Sequence, residues 1–140
     1  MFNALIPEFA VRDCNASLRF YRDVLGFAVI YERPEEGFAF LQLGAAQLML
    51  DQIGAGRAFR TIEPNTPLGQ GLNLQITVVT LDPMLAALAG DGIALVLPLE
   101  MRSYRRGESL LQQRQFVVAD PDGYLLRLCE PPCVVAATPL

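Results

Sequence analysis

Apolar and polar positions along this chain follow an order that occurs twice. Residues 4–12 (ALIPEFAVR) read as a strand, after which Leu18, Tyr21 and Leu25 recur at helical spacing, with Phe20 and Val24 widening the stripe. Asn15 stands where a helix N-cap is expected, since its side chain can accept from an unpaired first-turn amide. Gly26 ends the helix, because glycine adopts the left-handed geometry favoured just past a helix C-terminus. Residues 27–32 predict the next strand, 33–37 a turn, and 38–43 with 47–52 a hairpin about Gly44.

The same order then returns. Residues 72–80 predict a strand, and Asp82-Pro83 open a helix as cap and first helical residue, with Leu85, Leu88 and Ala89 as its buried stripe. Gly90 or Gly92 closes it, residues 93–97 predict a strand, and 116–119 with 124–129 a closing hairpin. The turn of that hairpin, Asp120-Pro121-Asp122-Gly123, carries proline and glycine where a type I turn or bulged hairpin needs them. A turn role is expected there ahead of metal binding or catalysis.

Two modules, 4–52 and 72–130, joined by a linker at 53–71, thus make one domain over 1–133, with 134–140 left as a tail. Two segments break the repeat: the Gly- and Pro-rich linker, and 98–115 with MRSYRRGES at its heart. Both read as long loops, of the kind that act as lids or binding loops or are merely mobile. Several strands are apolar at nearly every position (AFLQLG, LMLD, LLRLC), which predicts sheets covered on both faces. Helices cover one face. The other encloses a space, packs as ordinary core, or meets another subunit.

Composition narrows the function classes. With 52% hydrophobic and 19% charged residues the chain is no disordered segment. A net charge of −4 argues against a nucleic-acid partner, which needs clustered Lys and Arg. No apolar run approaches the roughly 20 residues that span a bilayer, and no leader pattern opens the chain, so a cytoplasmic location without membrane contact is expected. Cys14, Cys129 and Cys133 are too scattered for a zinc site, and there is no histidine. Without histidine, Ser17, Ser103, Ser109 and the cysteines have no ordinary general base, which excludes triads of the usual type. Glu8, Asp51 and Glu100 remain as acid–base candidates, with no pair marked out by spacing.

The segments VRDCNASLRFYRDVLGF, FAFLQLGAAQLML and VVADPDGYLLRL, in this order, resemble the vicinal oxygen chelate superfamily, also called glyoxalase/bleomycin resistance protein/dioxygenase proteins. The resemblance spans roughly 5–52 and 72–130. It implies an α+β fold of two βαβββ modules whose curved mixed sheets form a cup. Enzymes of the family hold a divalent metal at positions that fall here near Ile6, Met49, Asn73 and Arg127. None of these is His or Glu, so no metal cofactor is expected, and metal-dependent glyoxalase or dioxygenase activity is disfavoured.

The branch resembled most is the bleomycin-resistance type: homodimers that sequester an antibiotic without turning it over. The chain lacks the tryptophan on which such binders commonly stack their ligand, and Phe38 stands near the expected aromatic. If metal-ligand positions face the cup, so do Met49, Asn73 and Arg127, and strand alternation adds Asp51 and Gln75. Phe38, Phe40 and Phe116 are candidates for an aromatic wall, with core packing expected of at least one. Tyr104, among Arg102, Arg105 and Arg106, is a candidate for the mouth. Arg127, among leucines, needs an acid or a ligand anion, and an internal bridge to Glu100 or Asp51 is the first expectation. The expected ligand is an aromatic or cationic small molecule. The alternative is an enzyme of the same fold doing metal-independent acid–base chemistry.

Overall fold

The first repeat begins with β1 (Glu8–Val11), whose Phe9 and Val11 are buried. Helix α1 (Cys14–Leu18) follows and widens into a π-helical stretch (Arg19–Val24), which leads to β2 (Ala28–Arg33). A 3-10 turn (Pro34–Glu36) joins β2 to the hairpin of β3 (Phe38–Leu43) and β4 (Ala46–Gln52). The second repeat runs β5 (Asn73–Thr77), α2 (Asp82–Gly90), β6 (Leu97–Arg106), β7 (Ser109–Ala119) and β8 (Leu125–Cys129). Strand order is β1-β4-β3-β2 in one sheet and β5-β8-β7-β6 in the other. In each, the first strand lies parallel to the last and the remaining pairs are antiparallel. The βαβββ order read from the sequence is therefore present twice, as two mixed sheets with few helices: an α+β fold.

This computed structural model describes residues 1–57 and 59–136. The chain packs as two units, Met1–Gln70 with Asp120–Tyr124, and Gly71–Ala119 with Leu125–Leu140. In the first unit, strand alternation and register put Phe9, Val11, Ala39, Leu41, Leu48 and Leu50 on one sheet face. All are buried, together with Leu18, Phe20, Tyr21 and Leu25 from the helical segment. In the second unit, Ile76, Phe116, Val118, Leu126 and Leu128 share a face by the same rule. They are buried with Leu81, Met84 and Leu88.

Several sequence expectations need correction. The cap of α1 is Asp13, not Asn15: its backbone is extended, and its carboxylate accepts from Asn15 N (3.0 Å) and Ala16 N (3.2 Å). Asp82 does not cap α2; the carboxylate of Glu130 accepts from Leu81 N at 2.9 Å, and Asp82 instead pairs with Arg114 at 2.8 Å. The buried stripe of α2 is Met84 and Leu88, while Ala89 is exposed. Residues 93–96 form no strand, because pairing begins at Leu97 and Pro98 interrupts the ladder, with a register shift before Glu100.

The stretch 98–115 is not a loop but most of a long hairpin, paired from Glu100↔Gln115 to Arg106↔Ser109 about Gly107. Its residues are polar on both faces, so the period-2 signature that would have marked it as strands is missing. Residues 134–136, read as part of the tail, join Cys133 in a ninth strand, β9 (Cys133–Ala136), antiparallel to the start of β7. Residues 137–140 of the expected tail lie outside the described residues. The expectation that both sheet faces are covered fails for β6, which is mostly exposed.

The Asp120–Gly123 turn does more than reverse the chain. Asp120, 5% exposed, accepts from Tyr21 Oη at 2.7 Å through one oxygen and from Asp122 N and Tyr124 N, both at 2.9 Å, through the other. Tyr124 in turn stacks on Phe9 at 4.0 Å and donates to Ala10 O at 2.9 Å. Gly123 has a φ of +103°, and a Cβ there would lie 2.8 Å from Pro67 Cβ, so both backbone shape and space require glycine. Burial, followed by the Asp120 charge, pushes the Tyr21 phenol well above its ordinary range.

Tyr21→Phe leaves a buried carboxylate oxygen without its donor and is expected to cost about 1–3 kcal/mol in chemical denaturation. The raised Tyr21 pKa means the folded state holds the phenolic proton more tightly than the unfolded one. Stability from this group is complete below the ordinary tyrosine range and lost as pH rises through the folded value. Wild type should therefore lose more stability than Tyr21→Phe on going to alkaline pH; parallel profiles would contradict the assignment.

Candidate functional site

Opposite the helix-packed face, the first sheet presents a mixed surface. Register aligns Glu8 with Met49 and Phe40, and Ala10 with Asp51 and Phe38, so alternation places these six side chains on one face. Tyr31 and Arg33 of β2 join them through their pairing with Phe40 and Phe38. Four of the residues expected from sequence, Phe38, Phe40, Met49 and Asp51, are thus brought together here.

The aromatic members are not free. Tyr31 stacks on Phe40 at 5.2 Å and Phe2 meets it edge-on at 5.2 Å, leaving Phe40 2% exposed. The Arg33 guanidinium lies 4.0 Å above the centre of Phe38, held also by Glu36 at 2.7 Å. Phe38 and Phe40 therefore form a wall already faced by the chain's own side chains. Phe116 takes no part in such a wall with Arg127: it pairs with Leu128 while Val117 pairs with Arg127, which puts Phe116 on the opposite face, fully buried. A shift of one position along a strand decides this.

The open part of the first face is a cavity of about 270 Å³ floored by Glu8, Ala10 and Asp51. Residues of the 53–71 linker wall it: Ile53, Phe59 and Ile62 supply apolar surface, and Arg57, set 5.0 Å over the Phe59 ring, also lines it. Gly56 packs close to the Asp51 carboxylate; a Cβ there would stand 3.1 Å from Asp51 Oδ1. Among the described residues the Asp51 carboxylate takes no hydrogen bond and no ion pair. Burial raises its pKa; the Arg33 charge lowers it and the Glu36 charge raises it. Sequence reasoning named Asp51, and Glu8 as an acid, but missed Phe59, Arg57 and Ile62. Only the Gly- and Pro-rich character of the linker hinted at a binding loop, with no periodicity to single out residues.

On the second unit, Gln75, Tyr104 and Arg127 line one cavity of about 350 Å³ together with Gln113, which the sequence did not flag. Arg127 Nη2 donates to Gln75 Oε1 at 2.8 Å. The internal salt bridge expected for Arg127 is absent among the described residues, and its Nε is buried without a partner. Gln115 donates to Glu100 Oε1 at 3.0 Å and to Tyr104 Oη at 2.6 Å, while its own Oε1 is buried and unpaired. Asn73 lies on the same face by register, at an exposed strand start.

The family positions for a metal do not suit one in this chain. Met49 offers a thioether, and Arg127 a cation that repels a divalent ion. Among the described residues no three His, Cys, Asp or Glu side chains come together as a metal cluster. Cys14 is also a poor nucleophile, because burial, then the charges of Glu32, Asp13 and Asp51, raise its thiol pKa. No helix among the described residues is long and apolar enough to cross a membrane.

Comparison with known proteins gives a family and a fold. The family model described as Glyoxalase/Bleomycin resistance protein/Dioxygenase superfamily matches residues 6–128. No curated protein gives a significant match. Among solved structures, TioX from Micromonospora sp. ML1 is 20% identical with a TM-score of 0.70, covering 92% of this chain and 98% of that one. An integron cassette protein from the mobile metagenome of V. cholerae is 21% identical with a TM-score of 0.62, covering 93% and 95%. Lactoylglutathione lyase from Agrobacterium tumefaciens is 20% identical with a TM-score of 0.59, covering 91% and 93%. At these identities the likeness is one of fold.

Because Arg33 is the cation that holds the Asp51 pKa down, Arg33→Gln is expected to raise it further. A carboxyl-detected NMR titration of the wild type and the variant checks this; an unchanged or lowered Asp51 midpoint would remove Arg33 as its regulator.

Proposed function

Since the chain belongs to the glyoxalase/bleomycin resistance protein/dioxygenase superfamily, we propose that it is a small-molecule-binding protein of the bleomycin-resistance type. In this reading it sequesters an apolar or aromatic cation without turning it over. The observation that carries the reading is the Asp51 carboxylate, half-buried beside apolar side chains and without a partner among the described residues. A carboxylate partly shielded from water is less well solvated than a free one, as its raised pKa reflects, and a ligand cation offsets that loss. Phe59, Ile53 and Ile62 offer the apolar surface for the ligand body, and Glu8 adds a second negative charge on the strand floor, while the linker side of the lining carries Arg57 and Arg60.

The raised Asp51 pKa also favours a second reading, in which the same carboxyl acts as a general acid or base on a bound metabolite without metal. Binding without product formation supports sequestration; turnover supports the enzyme. The reading includes a homodimer, supported by Ile30 and Tyr31, which are 50% and 40% exposed on edge strand β2. Light scattering of the purified protein tests that part.

Calorimetry with a panel of aromatic amines and quaternary ammonium compounds is the direct test. Asp51→Asn is expected to weaken cation binding by about 1.5–3 kcal/mol, the range for a hydrogen bond to a charged group. Phe59→Ala should weaken aromatic more than aliphatic cations. Affinity should also fall as pH drops through the raised Asp51 pKa, since protonation removes the charge the ligand pairs with. Cation affinity indifferent to Asp51→Asn and to pH would sink the proposal.

A further inference from the structure

The cavity on the second sheet differs in chemistry from the one on the first. It holds hydrogen-bond donors for which the described residues supply no acceptor. Tyr104 Oη accepts from Gln115 Nε2 at 2.6 Å, so its own proton is free to donate, and no acceptor takes it among the described residues. Gln115 is 2% exposed and both its N–H bonds are committed, to Glu100 and to Tyr104, which fixes the tyrosine in place. Arg127 spends Nη2 on the neutral amide of Gln75, its Nε is buried with no partner, and Nη1 takes none among the described residues. Gln113, 7% exposed, brings a further amide to the lining.

No carboxylate lines this cavity; the nearby Glu100 is held by Gln115 and stands outside the lining. A guanidinium that is part-buried and lacks a counter-ion is unfavourable, and the planar fork of arginine suits carboxylate and phosphate oxygens, of which the apolar residues of this lining favour a carboxylate on an apolar body. Leu111 and Pro132 add apolar surface to the same lining. From this arrangement we infer that the second sheet carries its own site for a small carboxylate with an apolar body. Arg127 is its charge anchor, Tyr104 its second donor, and Gln115 a positioning residue behind Tyr104. The inference does not rest on the cation site of the first sheet, which involves other residues and the opposite ligand charge.

Benzoate is the probe, with benzamide and benzylamine as its neutral and cationic counterparts, each titrated into the labelled full chain and followed by amide NMR shifts. Saturable benzoate shifts are expected, with benzamide roughly tenfold weaker or more because it lacks the charge. Arg127→Gln should weaken benzoate about tenfold or more, and Tyr104→Phe about three- to tenfold. Arg127→Lys, which keeps the charge but loses the fork, should fall between wild type and Arg127→Gln. If Arg127→Gln fails to fold, the Tyr104→Phe and Arg127→Lys results decide. Absence of saturable benzoate shifts, equal binding of benzoate and benzamide, or wild-type affinity in the folded variants would each overturn the site.

Discussion

A single buried carboxylate organises the first unit. Asp120 is buried, and burial, with a smaller contribution from the Asp122 charge, raises its pKa even though Tyr21 and two backbone amides lower it. Its three hydrogen bonds tie the π-helical stretch, through Tyr21, to the Asp-Pro-Asp-Gly turn. Tyr124, whose amide that carboxylate holds, then stacks on Phe9 and reaches the backbone of β1. The β1 strand is also the one whose outward side chains, Glu8 and Ala10, floor the cavity beside Asp51. The floor of this cavity thus belongs to a strand that Tyr124 holds by stacking on Phe9 and donating to the Ala10 carbonyl. Removing one partner leaves the other buried and unsatisfied, so the network acts as a unit.

Much of this was legible in the chain, for identifiable reasons. Hairpins bounded by Gly44 and Gly123, and a helix stopped at Gly26, announced the repeat because turn chemistry is local. What failed was of two kinds. Asp13 rather than Asn15 caps α1, and Glu130 meets the amide of Leu81, the residue just before α2, where Asp82 was expected to cap. The first is a displacement of two residues; the second is a contact between residues 49 apart in sequence. No spacing rule reaches the second kind.

The placement of the site residues divides along the same line. Met49 and Asp51 were put on one face by alternation alone, and the pairing with Glu8 and Ala10 agrees. Phe116 went astray because the analogy between hairpins does not fix the parity of a strand, and one position separates a core residue from a surface one. Phe40 was placed on the right face, yet Phe2 from the first residues of the chain covers it, which periodicity does not reveal. Tyr104 was found in a segment misread as a loop. Its position on β6, opposite Leu111 of β7, gives it a fixed direction that a loop would not have.

The two sheets repeat one topology but carry opposite chemistry on the face opposite each one's buried apolar side. At the fourth strand of each repeat, Met49 and Asp51 occupy the first, and Arg127 the second. Such substitutions cannot preserve a shared metal-binding pattern: a thioether is a weak ligand for a hard ion, and a guanidinium excludes one. They do preserve concave, partly apolar surfaces with a few charges that lack partners in the chain. In the proposed reading, one acidic and one basic side chain serve as anchors for organic ions on the faces where enzymes of this fold place chelating groups. Under the two proposals, recognition follows charge sign and shape, and the strength of each interaction depends on how far its anchor is withdrawn from water.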